Sequence, residues 1–382
     1  MKMVGILQEQ HPGRARLFMQ WKQMDWPLLV DPLNLLGVSV VPVTVLLDEY
    51  GIVRAINPKQ DEFQQFMEEV YPEPKHMDAP RTGRSDLAAL EQAALGHDPD
   101  ALRNYADALF LWSDESHLDE AIEGYTQALQ KDPEHGPTHY RLGVAFRRRY
   151  ESPFRRANDF NQAAQHWGQA LDIDPNQYIW RRRIQQYGPR LDKPYSFYDW
   201  VIQAREEIEA RGETPVTLTV EPGGAELAYP AQTFDPAPTA TRPEPDPGGR
   251  IIRDEQGLIQ IEATVVPATL QPGGSGRVHV VLRPDQSQKA HWNNEVDDLV
   301  FWVDPPAGWE VDTHYLTVGR PPEAVSQEVR KVEFELKIPD ELTGPVTIPA
   351  YVLYYVCEDV DGTCLYRRQD VSLRINVAGG RK

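Results

Sequence analysis

Apolar positions change their period twice along the chain. The first stretch, to about residue 75, mixes short apolar runs with one-sided helical patterns. Val4-Gly5-Ile6-Leu7 is a strand candidate, and Arg14–Met24 carries Leu17, Phe18, Trp21 and Met24 at helical spacing. Trp26–Val30 reads as extended, and Asn34–Val38 as a helical turn ended by glycine. Val41–Asp48 and Ile52–Ile56 read as two strands of a hairpin turned at Glu49-Tyr50-Gly51. Asp61–Val70 reads as a helix with Phe63, Phe66 and Met67 on one face.

From about residue 85 to 212 the period is helical throughout. Asp98-Pro99 recurs 34 residues later as Asp132-Pro133, and 42 residues after that as Asp174-Pro175. The longer second interval fits an insertion around Tyr150–Asn158. Small and aromatic residues recur in the same register. One repeat has Tyr105, Ala108, Leu109 and Trp112, then Ala121, Tyr125 and Ala128. The next has His139, Leu142, Gly143 and Phe146, then Ala163, Trp167 and Ala170. Small residues let paired helices approach and aromatic ones fill the space between them. A third pair, Gln177–Tyr187 and Tyr198–Ala210, is degenerate and suits a cap.

Residues 213–250 are dominated by proline, alanine, threonine and aspartate without period, as in an extended linker. Val216–Val220 inside it is strand-like. From residue 251 the period becomes two. Leu258–Val265, Gly276–Leu282, Leu299–Val303, Val329–Ile338, Val346–Val356 and Val371–Val377 are strand candidates separated by turns such as Gln271-Pro272-Gly273-Gly274. Spacing of this kind predicts a β-sandwich of immunoglobulin type over residues 251–380.

The 34-residue period and its signature positions resemble the tetratricopeptide (TPR) repeat, a helix–turn–helix unit. The resemblance implies a concave groove that binds a protein or peptide partner. Candidate groove residues are Tyr105, Trp112, His139, Arg147, Arg148, Arg181 and Arg182. The arginine clusters 147–149, 155–156 and 181–183 would attract acidic segments through bidentate pairing, or form solvated helix faces.

Val40-Val41-Pro42-Val43-Thr44 followed by Leu47-Asp48-Glu49-Tyr50-Gly51-Ile52-Val53 resembles the second half of a thioredoxin-like fold in its redoxin branch. That resemblance implies a cis bond before Pro42. It also implies a Cys-x-x-Cys pair on a strand–helix unit that this chain does not contain, since residues 1–75 hold no cysteine. A thiolate is the nucleophile in thiol–disulfide exchange, so this part cannot run that chemistry by itself.

Two cysteines are present, Cys357 and Cys364, which excludes a disulfide-rich scaffold and a four-cysteine zinc site. Asp361-Gly362 between them signals a turn, so they face each other across a hairpin. A bond there closes a short loop and stabilises by only about 2–3 kcal/mol in the chain-entropy model. Tyr354-Tyr355-Val356-Cys357 and Gly362-Thr363-Cys364-Leu365-Tyr366, with Ala290–Glu295 upstream, resemble the N-terminal domain of the transmembrane thiol–disulfide interchange protein family. The resemblance spans about residues 258–378 and implies a sandwich whose cysteine pair passes electrons to a thioredoxin-like partner. The loop here is one residue longer than that pattern, and Arg367-Arg368 stand where prolines usually follow. Glu358, Asp359 and Asp361 would raise a thiol pKa in this loop, and Arg367 and Arg368 would lower it.

The expected fold class is therefore multidomain α+β: a partial thioredoxin-like fragment at 1–75, TPR helices at 85–212, a proline-rich linker at 213–250 and the sandwich at 251–380. Two functions stay open. One is a thiol–disulfide redox protein or accessory with Cys357 and Cys364 as the exchanging pair. The other is a non-enzymatic TPR scaffold with a structural disulfide. The ten histidines are scattered, and His135 and His139 read as solvated surface, so neither metal nor cofactor is expected. The sequence holds no Gly-x-Ser-x-Gly, phosphate loop or His-Glu-x-x-His.

The formal charge of -19, from 58 acids against 39 Lys+Arg, repels a phosphate backbone and argues against nucleic acid as a partner. No apolar run approaches the ~18–20 residues of a membrane span, and no secretory signal is read, so the chain as written is expected to be soluble. An upstream extension would make a bacterial envelope location fit the two redox resemblances.

Overall fold

The computed structural model describes residues 2–74, 86–191, 198–226, 234, 236, 242–342, 344–358 and 362–379. The architecture is mixed α+β, in two compact units. One comprises Met1–Arg155, Gln169–Arg183 and Trp200–Glu221, the other Arg156–Gly168, Ile184–Asp199 and Pro222–Lys382.

The first unit opens with β1 (Gly5–Leu7), α1 (Gly13–Trp21) and β2 (Leu28–Val30). β1 and β2 pair in parallel, Ile6 opposite Leu29. β3 (Val45–Leu47) and β4 (Val53–Ile56) form a separate antiparallel pair, followed by α2 (Gln60–Glu68). The Val41–Pro42 bond is cis. Asp48 fixes the hairpin turn, because its carboxylate accepts from the amides of Tyr50 and Ile52 and pairs with Arg54. Residues 34–38 form a turn rather than a helical segment. Asn34 and Gly37 both take positive φ there, and the Asn34 side chain donates to the carbonyl of Val38 at 3.0 Å.

The helical part follows as α3 (Leu87–Ala94), α4 (Pro99–Trp112), α5 (Leu118–Lys131), α6 (Gly136–Tyr150), α7 (Asp159–Ile173), α8 (Tyr178–Gln185) and α9 (Trp200–Ala210). Asp98 caps α4 by accepting from the amides of Asp100 and Ala101, and Pro99 occupies the first turn, where no amide is needed. The recurring small and aromatic residues go inside: Ala121, Tyr125, Ala128, Ala163, Trp167 and Ala170 are each 0% exposed. Arg103 ties the repeats together, donating to Thr138 at 2.9 Å and to Asp132 at 2.6 Å. Within the same unit Trp21 of α1 stacks on Trp200 of α9 and donates its ring N–H to Glu207. Residues 216–220 form no strand. Val216 donates to Gln20, and Leu218 is buried.

The second unit contains β5 (Ile259–Val266), β6 (Ser275–Pro284), β7 (His291–Asn293), β8 (Leu299–Val303), β9 (Glu310–Val311), β10 (Tyr315–Val318), β11 (Val325–Ser326), β12 (Arg330–Lys337), β13 (Val346–Cys357) and β14 (Cys364–Ile375). One sheet runs β5-β6-β12-β9. The other runs β10-β8-β13-β7-β11, with β14 also on β13. A single apolar core joins them, with Trp292, Phe301, Phe334, Val352 and Tyr354 almost wholly buried.

Residues 242–250, expected as weakly structured linker, lie on this unit. Asp246 is buried, receives the guanidinium of Arg368 at 2.9 Å and accepts from the amides of Arg250 and Ile251. Most of 227–241 is outside the described residues. Ile184–Arg190 also belongs here. His279 meets the carbonyl of Tyr187 at 2.7 Å, and Arg190 pairs with Glu335 and Asp312.

Candidate functional site: the disulfide end of the last hairpin

Alternation along β13 and β14 decides which side chains meet. Val352, Tyr354 and Val356 enter the core, as do Leu365 and Val371 across the ladder. Tyr351, Leu353, Tyr355 and Cys357 therefore share the other face with Arg368, Tyr366 and Cys364. The register sets Cys357 opposite Cys364, Tyr355 opposite Tyr366 and Leu353 opposite Arg368.

Cys357 and Cys364 are joined by a disulfide with Cα atoms 4.0 Å apart. The two halves differ in access: Cys357 is 1% exposed, and Cys364 is exposed. The amide of Glu358 donates to the carbonyl of Thr363 at 3.2 Å and closes the ladder beyond the bond. Asp359, Val360 and Asp361, and with them the Asp361-Gly362 turn expectation, lie outside the described residues.

Beside the bond, the rings of Tyr355 and Tyr366 stack with centroids 4.4 Å apart. Burial first, then Tyr355 and the carboxylates of Asp246 and Asp297, raise the Tyr366 hydroxyl above its ordinary value. On the opposite side of β13, β7 sets His291 directly across from Cys357. His291 is buried, with Nδ1 3.4 Å from the carbonyl of Lys289.

The electrostatic expectation for the arginines needs correction. Arg368 is engaged by Asp246 and Asp370 and lies over the Tyr351 ring, four residues along the strand from Cys364. Arg367 projects from the opposite face and donates to the carbonyl of Tyr366. Neither is built to stabilise a thiolate at the pair.

The groove candidates fall in different surroundings. Tyr105 is half-buried on α4 and donates its hydroxyl to Glu120 at 2.6 Å, and Trp112 is half-buried at the end of the same helix. His139, expected on the surface, is 8% exposed, with Nε2 2.9 Å from the carbonyl of Pro133. Arg147 is 6% exposed and donates to Glu151 one turn on. Arg148 is exposed and paired with Glu115. Arg181 is exposed and donates to the carbonyl of Pro175, and Arg182 is half-buried. Five of these seven thus keep open surface: Tyr105, Trp112 and Arg182 are half-buried, and Arg148 and Arg181 are exposed.

Among the described residues no group of three or more His, Cys, Asp or Glu side chains could hold a metal ion, and no helix is long and apolar enough to cross a membrane.

No family model and no curated protein matches the chain. Among solved structures, a FixG-related protein from Vibrio parahaemolyticus aligns at 10% identity and a TM-score of 0.18, over 31% of this chain and 96% of that one. The sporulation control protein Spo0M from Bacillus subtilis aligns at 15% identity and 0.16, over 32% and 50%. AvmM, which catalyzes macrocyclization in alchivemycin A biosynthesis, aligns at 15% identity and 0.15, over 33% and 91%. At these scores none of the three fixes a fold or a function for this chain.

Proposed function

We propose that this chain is a thiol–disulfide exchange protein, or an accessory to one, with Cys357 and Cys364 as the exchanging couple. The observation that carries the reading is the unequal access of the two cysteines, Cys364 exposed and Cys357 1% exposed, at the end of a hairpin. Exchange begins when a thiolate reaches a disulfide sulfur, so access decides which sulfur is attacked.

The thiolate of a dithiol partner attacks Sγ of Cys364. The bond to Cys357 breaks, and the sulfur of Cys357 leaves with the electron pair and takes a proton. The partner's second thiol then attacks the mixed disulfide, and Cys364 leaves as a thiol. Two electrons and two protons have moved from the partner to the pair. The reverse sequence oxidises the pair.

The rest of the chain supports this reading as partner machinery. We read the second unit's two packed sheets as an immunoglobulin-like sandwich and the helical pairs as TPR repeats that bind a protein or peptide partner. The parallel β1–β2 pair, the cis Val41–Pro42 bond and the β3–β4 hairpin are read as a thioredoxin-like fragment. That fragment contains no cysteine and exchanges nothing itself.

A second reading, the scaffold with a structural staple, is favoured by the burial of Cys357 at the end of a twelve-residue ladder. Single-cysteine variants separate the two. With Cys357→Ser, the lone Cys364 should react with an aromatic disulfide reagent at least about tenfold faster than the lone Cys357 of Cys364→Ser. Equal rates would remove the basis of the exchange reading.

A further inference from the structure

We infer that His291 holds the proton that the sulfur of Cys357 takes when the bond opens. The inference rests on the exchange reading above and extends it to a residue outside the cysteine pair.

Three neighbouring strands bring the groups into one row. β13 pairs with β14 on one side, Cys357 opposite Cys364, and with β7 on the other, Cys357 opposite His291. Directly opposed residues of antiparallel strands point to the same face, with Cβ atoms about 4.5–5.5 Å apart. His291 and Cys364 therefore lie on either side of Cys357 on one face of the sheet.

Burial makes this neighbour matter. Cys357 is 1% exposed and His291 is 7% exposed. A thiolate released there meets almost no water, and an uncompensated charge in such a place is costly. An adjacent imidazolium stabilises a thiolate and can pass it a proton. With Nδ1 turned to the carbonyl of Lys289, Nε2 is the ring nitrogen left for the sulfur.

The other charged and titratable groups around the row are fewer and more open. Glu358 follows Cys357 and by alternation lies on the other face, while the carboxylates of Asp246 and Asp297 act on Tyr366 in the next row. Tyr355 and Tyr366 occupy the next row, and Lys289 is exposed in the turn before β7. β11 brings only Val325 and Ser326 to its pairing with β7. His291 is the buried imidazole of this set.

The step balances. A reductant thiolate attacks Sγ of Cys364, the electron pair of the broken bond goes to Sγ of Cys357, and His291 imidazolium delivers its proton there. The neutral imidazole regains a proton from solvent.

The test is the rate of reduction of the full chain by dithiothreitol between pH 5 and 8, corrected for the reductant's thiolate fraction. The corrected wild-type rate should fall as pH rises through the imidazole range. His291→Gln should lose that dependence and be at least about tenfold slower at pH 6. Identical corrected profiles would overturn the inference, as would a uniform slowing with the pH dependence intact. A wild-type bond that dithiothreitol never opens would defeat the exchange reading itself.

Where His291→Gln fails to fold, the wild-type profile decides: a corrected rate that stays flat between pH 5 and 8 would overturn the inference.

Discussion

Gly124 and Gly168 both interrupt helices, and their surroundings give them opposite weight. A Cβ on Gly124 would lie 3.2 Å from Ala106 Cβ and 3.5 Å from the carbonyl of Leu102, so the glycine sets the distance between α4 and α5. A Cβ on Gly168 meets nothing within 4 Å. Gly124→Leu should therefore destabilise by about 1–3 kcal/mol through overpacking. Gly168→Ala should stabilise by up to ~1 kcal/mol through helix propensity. Thermal unfolding followed at 222 nm checks both signs. The buried small and aromatic helix positions were legible residue by residue, because a helical period fixes which side chains share a face. His139 and Arg147 were not. A charged run reads the same whether it is solvated or, as with Arg147 and Glu151, folded back on its own helix. His291 escaped for a different reason, since its place beside Cys357 arises from strand register between distant segments.

At the scale of elements, the long strands of the second unit were legible and the short ones were not. β8 begins and ends where alternation places it, at Leu299 and Val303. β9 and β11 are two residues long and offer no period to read. β14 starts seven residues earlier than the apolar run suggests, because the polar face of Arg367 to Asp370 hides a strand whose partner is β13. Another element-level feature is polar and non-local: Glu333 on β12 pairs with Arg277 and His279 on β6. Burial pushes the Glu333 carboxyl up, but the hydrogen bond and charge of His279, then Arg277, outweigh it and hold the carboxyl far below its ordinary range. A depressed carboxyl stabilises the fold above the unfolded-state pKa of about 4.3, and that contribution fades as pH falls toward the lowered folded value. Glu333→Gln should accordingly lower Tm at pH 6, and the gap to wild type should shrink below about pH 4. Equal Tm values at pH 6 would show that the pair contributes nothing.

For the molecule as a whole, the partition into units does not follow composition. The stretch 213–250 reads as one linker, yet residues up to Glu221 belong to the first unit and Asp246 is anchored in the second. Proline content marks where regular structure stops. It does not reveal a buried aspartate whose partner, Arg368, lies far along the chain. The N-terminal strands carry exposed apolar residues such as Ile6, Leu29, Leu47 and Ile56, and the only cysteines lie in the last hairpin. Redox chemistry by this chain's own thiols therefore has one place to occur. The direct test is the midpoint potential of the Cys357/Cys364 couple, read by thiol trapping across a glutathione or dithiothreitol series. Exchange predicts a reversible two-electron transition at roughly -270 to -120 mV. A bond still closed below about -300 mV would contradict it and leave the disulfide as a staple of the hairpin.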